Sequence, residues 1–331
     1  MTRNSTIAVV AGALGALLLV AALRQSMLGV MVGAMLSPLP LVMVTFGLGS
    51  AFLPLAVVAG AVTVTVVTGS IPLATVFLAV DAAPVALLSR LNLAAMAAAG
   101  RPLAGLVLGR TVCWLVLVAG AAMVAGLAMM AAGPDGIEAT LRQQIDKVLA
   151  AVPVTAPATG GETTTAATPR SIDLAAARTE MVKAVAGLLP GLAAWDWCLR
   201  AILSAGLAQL MLTRMNLALW PTPAYRGFEA PQWYFALFGV TAMAAAVLKD
   251  DAGFIAGNAA AILSLPLVLQ GLAVVHSAAR LVKYRLVWLA TFYVLALATA
   301  DLSAVLLVGL GVMDQFLQIR GRYLAPRTGG E

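Results

Sequence analysis

Ten apolar stretches, each close to the length of a bilayer-crossing helix, punctuate this chain and restrict what it can fold into. A hydrocarbon core about 30 Å thick takes roughly 20 helical residues to cross, and somewhat fewer where the protein thins the membrane. The stretches lie near 6–23, 27–48, 50–68, 71–89, 102–132, 186–213, 231–248, 252–279, 286–300 and 302–318. Hydrophobic residues make up 62% of the chain and charged residues 10%, whereas soluble domains carry about 25% charge. A water-soluble core cannot absorb that much apolar surface. The fold class expected is all-α, a polytopic transmembrane helical bundle of about 10 spans (8 to 10). Such bundles occupy bacterial inner (cytoplasmic) membranes. The last two stretches could form one helix of 33 residues, reaching about 50 Å. Asp301 stands where a hairpin would turn, so two short spans are preferred. At the other end, Arg3 ahead of an apolar run imitates a signal peptide. The run is long for one, and Leu23-Arg24-Gln25 is a poor small-residue cleavage site, so an uncleaved first helix is expected.

Charge placement tests this map independently. With the N-terminus inside, cytoplasmic segments hold Arg3, Arg90, Arg101, Arg214, Arg226, Arg280, Lys283, Arg285, Arg320, Arg322 and Arg327. The short outer loops hold only Arg24 and Lys249, the latter beside Asp250 and Asp251. That asymmetry obeys the positive-inside rule for an N-in/C-in topology with an even number of spans. The net charge of +6 therefore reflects orientation and not nucleic-acid binding. Cys113 and Cys198 both lie in apolar runs, which suggests neither a disulfide framework nor a metal cluster.

Four regions follow: a first transmembrane half over 1–132, a polar extracytoplasmic insert over 133–185, a second half over 186–319 and a basic cytoplasmic tail over 320–331. In the insert, Ile137, Leu141, Ile145, Val148 and Val152 recur at helical spacing and predict a short amphipathic helix. Residues 153–171 form a linker of Thr, Ala, Pro and Gly with little to bury. Ser171 is placed to cap a second helix that runs through Met181 and Val185 into the sixth span.

Small residues four apart recur: Ala8, Gly12 and Ala16, Gly29 and Gly33, Gly105 and Gly109, Gly253 and Gly257. Such spacing lets helix backbones approach closely, either within the fold or against a partner helix. Ser37-Pro38-Leu39-Pro40 breaks the second span. Each proline lacks an N–H and frees the carbonyl four residues earlier, here Ala34 and Leu36. At membrane depth those carbonyls must face protein, water or a ligand, so the break is either a plain kink or part of a solute site.

Ionisable groups at depth cost roughly 2.5–3.5 kcal/mol each on insertion scales and demand a reason. Asp81 and Arg110 each lie eight residues from the inner end of consecutive antiparallel spans, about 12 Å deep, and are expected to pair. Asp196 and Arg200 stand four apart on one helix and are expected to pair as well. Both pairs read as structural neutralisation or as parts of a substrate or proton path. Asn258, Gln270 and His276 populate the eighth stretch, which Ser264 and Pro266 interrupt. The candidate solute-binding residues are accordingly Ser37, Pro38, Pro40, Asn258 and Gln270. The sole histidine, His276, reads as a packing residue ahead of a catalyst. No phosphate-cradling loop, zinc-spaced set or nucleophile elbow is present, so no metal, cofactor or catalytic residue is assigned. Trp195, Trp197, Trp220, Trp233, Tyr234, Trp288 and Tyr293 mostly fall near span ends, as interfacial anchors do.

Several stretches resemble the YybS-like bacterial membrane proteins, a family defined as a domain of unknown function. They are Ser37-Pro38-Leu39-Pro40-Leu41 with Gly47, the stretch from Asn258 to Gln270-Gly271-Leu272-Ala273-Val274, and Gly311-Val312-Met313-Asp314 with Arg320 and Arg322. That family is distantly similar to the substrate-binding S components of energy-coupling-factor vitamin transporters. The resemblance implies small-molecule uptake, with Ala8, Gly12 and Ala16 presented to a partner membrane subunit.

Three functions are weighed. The leading one is a non-enzymatic, transport-related protein that holds a small solute in a helix-lined pocket, surrounded by membrane lipid and dependent on a separate energising ATPase-bearing subunit. The alternative is a non-transporting scaffold whose small-residue faces and outer arm bind envelope or division proteins. An intramembrane enzyme acting on a lipid-linked substrate would require His276, Asp301 and Asp314 to converge.

Overall fold

The computed structural model describes residues 2–322 apart from 24–32, 99–103, 135, 138–139, 142, 144–168, 220–221 and 223–224. Gly29, Trp220, the linker from 153 to 168 and the tail beyond Arg322 therefore lie outside the described residues, as do Arg24, Arg101 and Ile145, Val148 and Val152 of the insert. Every regular element among the described residues is helical. Among the described residues, five helical stretches are long and apolar enough to cross a membrane: Arg3–Leu23, Ser50–Thr68, Ile71–Leu91, Val107–Ala131 and Asp250–Leu281. Shorter apolar helices cover Ala34–Gly47, Gln232–Val247, Arg285–Ala298 and Leu302–Leu317.

In chain order the helices are α1 (Arg3–Leu23), α2 (Leu39–Gly47, with a turn of helix at Ala34–Leu36 before it), α3 (Leu53–Thr68), α4 (Ile71–Phe77) and α5 (Ala83–Ala98). Then come α6 (Ala104–Ala131), α7 (Pro169–Arg214), α8 (Gln232–Val247), α9 (Asp250–Leu263), α10 (Leu265–Ala278), α11 (Arg285–Ala298) and α12 (Ala300–Leu317). The second helix expected in the insert and the sixth span are one 46-residue helix, α7, whose start at Pro169 uses a residue preorganised for a first helical turn. The final apolar stretch is two helices. Thr299 leaves helical conformation at φ −121°, ψ 48° and ends α11, and α12 begins one residue later.

The elements end where side chains or backbone demand it. Ser70 caps α4 by accepting the Leu73 N–H at 3.4 Å, with Pro72 in the first turn. Gly69 closes α3 in the left-handed conformation, φ 67°, which suits glycine because it has no Cβ.

The chain forms two compact units. One comprises 1–119, 195–237 and 263–331, and the other 120–194 and 238–262. In the first unit, α1 lies along α3 and α10 along α12. Both crossings depend on glycine. A Cβ on Gly12 would overlap the Ala56 carbonyl, and one on Gly271 or Gly311 would overlap the carbonyl of Leu307 or Leu267. Lipid provides no hydrophobic drive between helices, so close backbone approach through small residues supplies the packing instead. Outward faces are apolar: Val66 is 77% exposed and Leu297 83%, a surface suited to acyl chains and not to water.

Candidate functional site

Three polar centres are buried among these helices. The first surrounds the break before α2. Ser37 and Pro38 keep right-handed helical dihedrals, so the chain kinks there without unwinding. Pro38 has no N–H to give the Ala34 carbonyl, and Arg200 Nη1 on α7 donates to that carbonyl at 3.4 Å. Ser204 donates to the neighbouring Met35 carbonyl at 3.4 Å. Ser37, fully buried, directs its hydroxyl to Asp81 Oδ1 at 2.9 Å, a shorter bond than its 3.3 Å approach to Ala34.

Asp81 itself sits on a single π turn, Leu78–Ala82, between α4 and α5. Pro84 accounts for that turn. Its ring cannot sit against the Val80 carbonyl in a regular helix, so the ladder slips to Ala83 N–H donating to Leu78. The slipped register would give Ala79 the missing N–H of Pro84, and the Trp197 indole donates there instead, at 3.1 Å. Asp81 has no exposure, and its Oδ2 has no hydrogen-bond partner. Asp196 and Arg200 lie 3.0 Å apart, with the Asp196 side chain 57% exposed and that of Arg200 14%.

The second centre lies where α10 and α12 cross. Gln270, fully buried, accepts the Ala230 N–H at 2.9 Å and turns its amide nitrogen toward Asp314 Oδ2 at 3.4 Å and Gln315 Oε1 at 3.3 Å. Asp314 holds Arg320 through Nε at 2.8 Å and Nη2 at 2.7 Å, and its Oδ1 accepts the Arg320 N–H at 3.1 Å. Gln318, left-handed at φ 50°, folds the chain back to allow this. Arg320 Nη1 also donates to the Arg226 carbonyl. Nearby, Tyr225 donates to the Leu269 carbonyl at 2.8 Å. Burial raises its phenol above the ordinary range and keeps it a neutral donor.

The third centre belongs to the second unit. Pro190 interrupts the ladder of α7, and Asn258 of α9 bridges the gap. Its Oδ1 accepts the Gly191 N–H at 2.8 Å, and its Nδ2 donates to the carbonyls of Gly187 and Phe254, each at 2.9 Å. Three of the amide's four bonding positions are thus taken by helix backbone, which describes a clamp better than a ligand site. Asn258→Leu should lower stability by about 1–2 kcal/mol, the range for an interhelical hydrogen bond in lipid. Unfolding in mixed micelles measures this, and an unchanged midpoint would remove the clamp role.

Two of the three stretches that carry the YybS-like resemblance meet at the second centre, where Gln270 and Gly271 face Gly311, Asp314 and Arg320, and the third, Ser37–Leu41, lies at the first. A family described as a predicted membrane protein (DUF2232) matches residues 13–315. The chain belongs to the DUF2232 family. No curated protein and no solved structure matches it.

Two sequence expectations for this DUF2232 protein need correcting. Asp81 does not pair with Arg110. It turns to Ser37, and Arg110 is exposed on α6 with no ion pair among the described residues. Equal depth on consecutive spans places two residues at one level, but helix rotation decides whether they face each other. Ala8, Gly12 and Ala16 are all buried, with Gly12 against Ala56 of α3, so the chain itself occupies the face expected for a partner subunit. Of the candidate solute residues, Ser37 and Pro38 stand with Asp81 and Arg200, Pro40 is buried in the first turn of α2, and Gln270 stands with Asp314. Sequence reasoning missed Ser204 and Trp197. Ser204 was discoverable, because 196, 200 and 204 repeat at four-residue spacing on one face of α7. The role of Trp197 was not, because it depends on a carbonyl freed on another helix.

Proposed function

We propose that this multi-pass DUF2232 protein is transport-related and takes a small solute at the polar centre around Asp81. The observation that carries this reading is the unpartnered Oδ2 of a fully buried aspartate. A carboxylate oxygen held away from water without a partner is costly, and intramembrane acids usually mark solute or ion paths. Its placement on a π turn supports the reading, since such turns recur at functional sites. Ser37 and Arg200 border the same centre, so the matching ligand presents a hydrogen-bond donor or a positive charge to Asp81. The two ends of the chain lie in the cytoplasm in this reading, and a separate subunit supplies the energy, in keeping with a sequence that carries no nucleotide motif.

Asp81→Asn keeps the shape and the Ser37 contact but removes the charge. Stability should rise by about 1–3 kcal/mol, the scale of the cost of a buried polar atom left without a partner, while small molecules that copurify under gentle extraction should fall at least tenfold by native mass spectrometry. A variant that loses stability and keeps its bound molecules would show the aspartate to be structural and end the proposal.

A further inference from the structure

A second feature is independent of Asp81. A groove runs along α11, lined by Tyr284, Val287, Trp288, Phe292 and Leu295 among others. Its wall is apolar. Trp288 and Phe292 stack with ring centres 6.0 Å apart and planes 10° apart, and both pack against the α10–α12 core. Val287 and Leu295 remain 66% and 60% exposed. From Tyr284 to Leu295 the groove extends about 16 Å along the helix, close to half of a hydrocarbon core about 30 Å thick, so it matches one acyl chain in one leaflet.

At its mouth, the Tyr284 end, the sequence is cationic: Arg280, Lys283 and Arg285 lie within two residues of the lining residues Val282 and Tyr284 along the chain, and all are exposed. No carboxylate pairs with any of them among the described residues. The Lys283 ammonium lies 5.6 Å from the centre of the Tyr284 ring, which ties the charge to the groove wall. An occupant must therefore be apolar along its length and anionic at one end only. We infer that this groove holds an acidic phospholipid, with its phosphate against Lys283 and Arg285 and one acyl chain over Trp288 and Phe292. A partner helix would fill the apolar wall but would leave the mouth charges unanswered.

The full-length protein in detergent, titrated with phosphatidylglycerol or phosphatidylcholine of identical chains and read by native mass spectrometry, tests this. Phosphatidylglycerol should bind at least tenfold better, and less well as salt rises. Arg280→Gln, Lys283→Gln and Arg285→Gln should each weaken it roughly fivefold and leave phosphatidylcholine binding and thermal stability unchanged, since all three residues are exposed. Thr291 also lines the groove, and Thr291→Trp, which fills it, should abolish binding of both lipids there. Equal binding of the two lipids, full retention by the triple glutamine variant or by Thr291→Trp, or equal binding of glycerol phosphate lacking an acyl chain would each overturn the assignment.

Discussion

Asp314→Ala should cost about 3 kcal/mol, the low end of the range for removing one partner of a buried ion pair. Asp314 is 4% exposed and answers three groups at once: the Arg320 guanidinium, the Arg320 N–H and the Gln270 amide. Removing it strands a cation and a buried amide donor, whereas the 17% exposure of the Arg320 side chain leaves that cation some solvent. A cycle with Arg320→Met, measured by unfolding in mixed micelles, should show the double variant losing clearly less than the sum of the singles. Strict additivity would mean that the pair is not coupled. Asp196→Ala serves as the contrast. That carboxylate is 57% exposed, so its loss should cost less than that of Asp314, even though the Arg200 it leaves is only 14% exposed.

Gly271→Val should be at least as damaging, with a loss of more than about 3 kcal/mol, visible as a collapse in the yield of folded protein. The new Cβ would meet the Leu307 backbone, which cannot rotate away as a side chain can, so α10 and α12 must separate. Gly311 makes the reciprocal contact with Leu267, and separation would also break the bonds from Gln270 to Asp314 and Gln315. Gly257→Ala is the control. Nothing lies within 4 Å of a Cβ there, so the gain in helix propensity of about 1 kcal/mol should leave that variant as stable as the parent or more so. If both variants behaved alike, the close crossing would not be what holds these helices together.

The two outcomes separate what could be read from residues from what could not. The apolar stretches mark the helices closely: α3, α8 and α11 begin and end within a few residues of the expected limits, because apolar length and the positions of Pro, Gly and charge act locally. The break at Pro38 and the freed Ala34 carbonyl were equally legible, since the missing N–H is a covalent fact. Which group would answer that carbonyl was not. Arg200 lies 166 residues away, and nothing in the spacing of either segment points to the other. Gly12 likewise reads as a close-approach residue, but the sequence is silent on whether its neighbour is a partner protein or α3.

Composition and periodicity by themselves determined that this is a lipid-embedded bundle of helices with kinks at its prolines, because the membrane requires each segment to satisfy its own backbone. Only the tertiary structure decided that Asp81 faces Ser37 and not Arg110, that Asn258 mends the Pro190 kink, and that Gln270 joins Asp314. Those choices depend on the rotation of each helix about its axis, which is set by packing between segments distant in sequence.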